Sequence, residues 1–246
     1  MRTRADLLLV ARGHFESRAK ARAAIEAGGV VADGRLVLKA SDLVADDAAI
    51  EAVAAHPWVG RGALKLEHAF TTWPIAVEGR VVLDVGASTG GFTEVCLAAG
   101  ARAVYAVDVG RGQFHPSLAG DPRVVVLEGT DARRLTPSDI REPPQVVVCD
   151  VSFIGLAKAL PAALALAVEG ADLVALVKPQ FEVGPERVGK GGLVKDEAAR
   201  LEALEAVKSF LEGAGWAAEA TTDSPIEGGD GNREYLVWAK KLGRPR

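Results

Sequence analysis

The sequence predicts a doubly wound, mostly parallel α/β sheet behind a small α+β head, and three observations lead there. From Ala63 onward, short Val-rich runs alternate with helical segments, the rhythm of a parallel sheet covered on both faces. A glycine-rich turn joins the first of those runs directly to a helix. The first 55 residues follow a different pattern, with two short helices and small β segments. A chain of 246 residues suits one ordinary domain plus a small one. We therefore expect a head over residues 1–55, a connector over 56–62 and a body over 63–246.

In the head, apolar spacing predicts helices over Ala5–Arg12 and Ser17–Ala27. Ser17 can cap the second helix and Gly28-Gly29 can end it. Short strands at Val30–Ala32 and Arg35–Leu38 flank an Asp33-Gly34 turn, and a further alternation covers Ala48–Val53. His56-Pro57-Trp58-Val59-Gly60 reads as connector, because Pro57 disfavours helix before it. In the body we expect helices at Ala63–Thr72, Gly91–Ala99, Leu156–Ala167 and Glu197–Ala214. Strands are expected at Val81–Val85, Ala103–Val107, Val124–Leu127, Val146–Cys149, Leu173–Val177 and Glu234–Ala239, with a basic tail after the last.

The net charge of −4 argues against a nucleic-acid ligand if averaged over the chain. Its distribution does not. From Met1 to Lys39 there are eight cations and four anions, so that segment is +4 and the remainder −8. Screening confines such fields to about 10 Å, so a basic module on an acidic body can still meet phosphate. The basic, briefly apolar N-terminus is interrupted by Asp6 and Arg12, too early for a signal peptide, and no apolar run reaches membrane-spanning length. We expect a cytoplasmic protein. Cys96 and Cys149 sit in apolar stretches without ligand spacing, which favours buried thiols over a disulfide or metal site.

The strongest motif is Leu83-Asp84-Val85-Gly86-Ala87-Ser88-Thr89-Gly90-Gly91-Phe92. It lacks the G-x-G-x-x-G spacing of a dinucleotide turn and the Gly-Lys-Ser/Thr of a P-loop. It resembles the first motif of S-adenosylmethionine (SAM) dependent methyltransferases, whose turn passes the methionine half of the cofactor. This makes the expected body a Rossmann-like SAM-dependent methyltransferase sheet. Asp108 ends the next strand, where a carboxylate can accept from a ribose diol. Asp131 and Ala132 follow the third strand, where an adenine amino group is contacted or where an ordinary loop lies. Lys65, Asp150, Lys178 and Glu234 are separated polar residues. Two of them end strands and so face the same crevice as the turn. Two plain ion pairs are the alternative.

Trp58–Gly62, Gly86–Thr93, Asp150-Val151-Ser152-Phe153-Ile154 and Lys178-Pro179-Gln180-Phe181-Glu182 together resemble the TlyA family. Its members are called hemolysin A-like proteins or rRNA (cytidine-2′-O)-methyltransferases. The body resembles the FtsJ-like methyltransferase domain. The head, with Ser17-Arg18 and Gly34, resembles the S-four RNA-binding domain. The family's catalytic Lys-Asp-Lys-Glu set then falls on Lys65, Asp150, Lys178 and Glu234. This chain departs from the family at Gly60, where Ser is usual, within Gly110–Gln113, where Tyr or a similar residue is usual, and at Asp131, where Asn is usual.

The resemblance implies methyl transfer from SAM to the ribose 2′-hydroxyl of cytidine in ribosomal RNA, free or in a subunit. It calls for no metal, membrane or obligate protein partner. Lys178 is expected to take the hydroxyl proton, since burial and a neighbouring cation favour a neutral amine. Lys65 would orient the hydroxyl, with Asp150 and Glu234 holding the two ammonium groups. Arg4, Arg18, Lys20, Arg22 and Arg61 are the candidate RNA contacts. Two rivals stay open at this point: a nucleotide-dependent oxidoreductase, and an RNA-binding or membrane-active protein without transferase activity.

Overall fold

The computed structural model describes residues 1–243; the expected basic tail falls partly outside them. The chain divides into two compact units, Met1–Pro57 and a second from Trp58 onward.

In the first unit, β1 (Arg2–Arg4) leads into α1 (Ala5–Ala11), then α2 (Arg18–Glu26), β2 (Val30–Ala32), β3 (Arg35–Leu36), β4 (Leu43–Ala45) and β5 (Ile50–Ala52). The Ser17 hydroxyl accepts from the Lys20 N–H at 3.3 Å, capping α2 as its position suggests. Asp33 and Gly34 both have positive φ, +47° and +73°, as a two-residue hairpin turn demands, and β2 pairs antiparallel with β3 on one side and β5 on the other. The two helices turn Leu8, Leu9, Ala21, Ala24 and Ile25 onto Phe15, Val30, Val37 and Val44, a core of its own. The antiparallel pair β1–β4 has no counterpart in the sequence reading. Three residues each leave no periodicity to detect.

The second unit runs α3 (Ala63–Thr72), β6 (Val81–Val85), α4 (Gly91–Ala98), β7 (Ala103–Asp108), α5 (Pro116–Ala119), β8 (Val124–Glu128), β9 (Val146–Cys149), α6 (Leu156–Ala159), α7 (Pro161–Leu166), β10 (Asp172–Val177), α8 (Pro179–Glu182), α9 (Glu197–Gly213), β11 (Trp216–Asp223) and β12 (Tyr235–Lys241). The sheet order is β11-β12-β10-β9-β6-β7-β8. Strands β6 to β10 are mutually parallel, while β12 runs antiparallel to β10 and β11 antiparallel to β12. Every residue of β6, β9 and β10 is buried, which is why their sequences show no polar alternation. One apolar cluster fills each face of the sheet.

Two body expectations need correction. The helix expected over Leu156–Ala167 is two helices, because Pro161 has no N–H to donate and starts a new helix at its first position. The eight-residue edge strand β11 was not expected at all. Its sequence, Trp-Ala-Ala-Glu-Ala-Thr-Thr-Asp, is Ala-rich and only partly buried, and pairing with β12 holds it in place.

Candidate active site

The strand order reverses at β6, which has β9 on one side and β7 on the other, so a crevice opens beyond the carboxyl ends of those strands. The glycine turn lies there. Gly86 has φ +85°, and a Cβ on it would stand 2.6 Å from the Asp150 carbonyl oxygen, so only glycine lets β6 and β9 end this close together. Ser88 is also left-handed, at φ +47°, which aims its N–H at Asp108 Oδ2, 2.8 Å away. Asp108 Oδ1 accepts from Gly110 N–H at 2.7 Å. Each oxygen keeps a second lone pair for a further donor.

A cavity of about 1190 Å³ opens in front of this turn. Of the residues proposed for a cofactor, Gly86, Ser88, Asp108, Asp131 and Ala132 line it. Asp84, Ala87, Gly90, Gly91 and Phe92 are buried behind the turn, and Thr89 is exposed outside the lining. Asp131 is gripped by its neighbour Arg133, with Oδ2 2.6 Å from the guanidinium, and this hydrogen bond holds its carboxyl at about 2. The wall formed by Gly110 and Gln113 is fixed from below by Glu128. Its carboxylate accepts N–H bonds from Gly112, Gln113 and Phe114 at 2.9, 2.8 and 3.0 Å, and these hold its pKa below the usual range. Glu128 carried no sequence signal, because its partners are backbone groups.

The four separated polar residues meet beside this cavity as two ion pairs. Lys65 Nζ lies 2.5 Å from Glu234 Oε2, with both residues buried. Lys178 Nζ lies 2.5 Å from Asp150 Oδ1 and donates to the Ser152 hydroxyl at 2.9 Å. Burial raises the Glu234 carboxyl above its ordinary range, and the charges of Lys65 and then Lys178 oppose that rise, so all four belong to one electrostatic group. Glu234 precedes β12 rather than opening it, and its carbonyl accepts from Ser224 N–H at 2.9 Å. The loop before it folds over the carboxylate: a Cβ on Gly228 would stand 2.6 Å from Glu234 Oε1. Arg61 reaches the same loop, donating to the Glu227 carbonyl at 3.1 Å.

Residues 58–241 match the model of the FtsJ-like methyltransferase family. Over 241 residues the chain is 48% identical to the 16S/23S rRNA (cytidine-2′-O)-methyltransferase TlyA of Mycobacterium tuberculosis, covering 97% of this chain and 90% of that one. The chain belongs to the TlyA family of FtsJ-like methyltransferases. Hemolysin A of Brachyspira hyodysenteriae is 39% identical, covering 95% of this chain and 98% of that one. A solved structure described as a putative hemolysin from Streptococcus thermophilus superposes with a TM-score of 0.79 at 39% identity, covering 99% of this chain and 90% of that one.

In this TlyA-family chain the head's candidate cations divide between two hollows. Arg4, Arg18 and Arg22 line a hollow of about 620 Å³ together with Lys39, a residue the sequence reading had not chosen. Lys20 does not share it. Two positions along a helix turn a side chain about 200° around the axis, and Lys20 lines another hollow with Glu16, to which it is ion-paired at 2.8 Å. Arg4 and Arg18 both bind the buried Asp6, at 3.0 and 2.7 Å, and Arg22 binds Glu26 at 2.6 Å. Among the described residues no helix is long and apolar enough to cross a membrane, and no group of three or more potential ligands could hold a metal ion.

Proposed function

We propose that the protein transfers a methyl group from SAM to the ribose 2′-hydroxyl of cytidine in ribosomal RNA, with RNA or a ribosomal subunit as its cytoplasmic partner. The observation carrying this reading is the buried Lys65–Glu234 and Lys178–Asp150 group beside the cavity at the Gly86 turn. The cavity suits SAM on its own chemistry. Val107, Val109 and Val151 offer apolar wall, and the carboxylates of Asp108, Asp131 and Asp150 suit a cationic ligand with a diol. When bound, SAM supplies an electrophilic methyl group on a sulfonium.

The protein's own part is to place and activate the acceptor. Orientation of reactants is worth about 7–11 kcal/mol, and little covalent help is needed. Lys178 Nζ, held by Asp150 and Ser152, takes the 2′-hydroxyl proton. Lys65, braced by Glu234, supplies the adjacent positive charge that polarises the hydroxyl. The head, read as an S-four-type domain, holds RNA phosphates through Arg4, Arg18, Arg22 and Lys39, while Lys20 and Arg61 contribute from outside that hollow.

Lys178→Ala tests the reading. It should bind SAM with wild-type affinity in calorimetry and lose methyl transfer; near-normal turnover would remove Lys178 from the base role. Deleting residues 1–55 should abolish RNA binding and leave SAM binding measurable.

A further inference from the structure

One ionisable group near the site takes no part in that mechanism. Asp84, the fourth residue of β6, is fully buried. Its Oδ2 accepts the Thr93 hydroxyl from α4 at 2.7 Å, while Oδ1, equally buried, meets no hydrogen-bond partner. The next two residues, Val85 and Gly86, line the cavity. The groups around it are Thr93 and the buried Cys96 thiol on α4, the buried Cys149 thiol on β9, Asp150 beyond β9 with its partner Lys178, and Asp108 at the end of β7. On α3, Lys65 is already committed to Glu234. Burial is the largest influence on Asp84, Thr93 opposes it, and the charges of Asp150 and Asp108 add to it; the carboxyl is pushed up to about 7. No cation is bonded to it to favour the ionised form.

We propose that Asp84 senses the charge of the cofactor: it gives up its proton to solvent when the sulfonium form binds in front of the Gly86 turn, and takes one back when the neutral thioether product remains. The inference rests on the SAM reading above and deepens it. A positive charge entering a cavity walled by Asp108 and Asp150 offsets their repulsion of an ionised Asp84. By linkage the proton released strengthens SAM binding as pH rises through neutrality, by at most about tenfold per pH unit. S-adenosylhomocysteine lacks the sulfonium charge and gains less. Asp84 thus favours substrate cofactor over spent product without touching either, as a positioning residue acting through the turn.

Calorimetry on the full chain in phosphate and in Tris, with SAM and with S-adenosylhomocysteine from pH 6 to 8, counts the protons exchanged. The wild type should release a fraction of a proton with SAM and less with S-adenosylhomocysteine, and its preference for SAM should grow severalfold over that range. Asp84→Asn should bind SAM with no such release and a flat profile. Thr93→Val, which removes the hydroxyl that donates to the carboxylate and leaves the Thr93 backbone N–H in place, should move the rise to higher pH and serves if Asp84→Asn does not fold. SAM binding without proton release in the wild type, or the same release in Asp84→Asn, overturns the proposal while leaving SAM as the cofactor. Failure of the wild type to bind SAM at all would overturn both.

Discussion

Replacing Lys65 with Met isolates the energetics of the buried group. The substitution keeps the length of the side chain and removes the ammonium 2.5 Å from Glu234 Oε2. Glu234 is 4% exposed, so its carboxylate would be left buried without its cation. Breaking a buried pair in this way costs roughly 3–5 kcal/mol, whereas replacing both partners by apolar groups is close to neutral. At roughly 2–4 °C per kcal/mol for a domain of this size, the melting temperature should fall by about 6–20 °C.

The pH dependence has a definite sign. Glu234 is already raised by burial, and without Lys65 the main opposing influence is gone, so the folded form takes up a proton more readily than the unfolded chain. The loss should therefore be smaller near pH 5 and grow as pH rises toward 8. All four tryptophans, Trp58, Trp73, Trp216 and Trp238, lie in the second unit, so urea titration followed by Trp fluorescence reports on that unit alone. A Lys65→Met/Glu234→Met double variant should recover most of the loss, giving a coupling of at least about 2 kcal/mol. Single-variant losses below about 1 kcal/mol at pH 8, or simple additivity, would refute the picture of a mutually dependent buried pair.

Other predictions concern the cavity walls. Gly86→Ala forces a Cβ to 2.6 Å from the Asp150 carbonyl at a left-handed backbone, which should cost about 1–3 kcal/mol in strain and weaken SAM binding at least tenfold by equilibrium dialysis. Glu128→Ala releases the Gly112, Gln113 and Phe114 N–H groups. It should lower SAM affinity roughly tenfold, at about 1.4 kcal/mol per decade, and leave RNA affinity unchanged in filter binding. Wild-type SAM affinity in that variant would mean the loop keeps its shape unaided.

Much of this was legible in the sequence because it rests on local rules. The Asp33-Gly34 hairpin, the Ser17 cap and the all-buried strands follow from backbone preference and from the period of apolar residues. The meeting of Lys65, Asp150, Lys178 and Glu234 was legible only in part. Strand ends placed Asp150 and Lys178 in one crevice, while the positions of Lys65 and Glu234 came from family resemblance. What escaped depends on partners distant in sequence or on backbone. Strand β11 needs β12 to exist, Lys39 reaches the Arg18 hollow only through the fold of the head, and Glu128 works entirely through N–H groups.

The central claim is methyl transfer to a ribose oxygen. Purified protein should be given methyl-labelled SAM and ribosomal subunits, and the RNA then hydrolysed in alkali. A 2′-O-methyl group removes the nucleophile that cleaves the adjoining phosphodiester, so the account predicts label in alkali-resistant dinucleotides that begin with cytidine, and its loss in Lys178→Ala. Label released in mononucleotides would place the methyl group on a base, and absence of label would deny the transfer; either result contradicts the account.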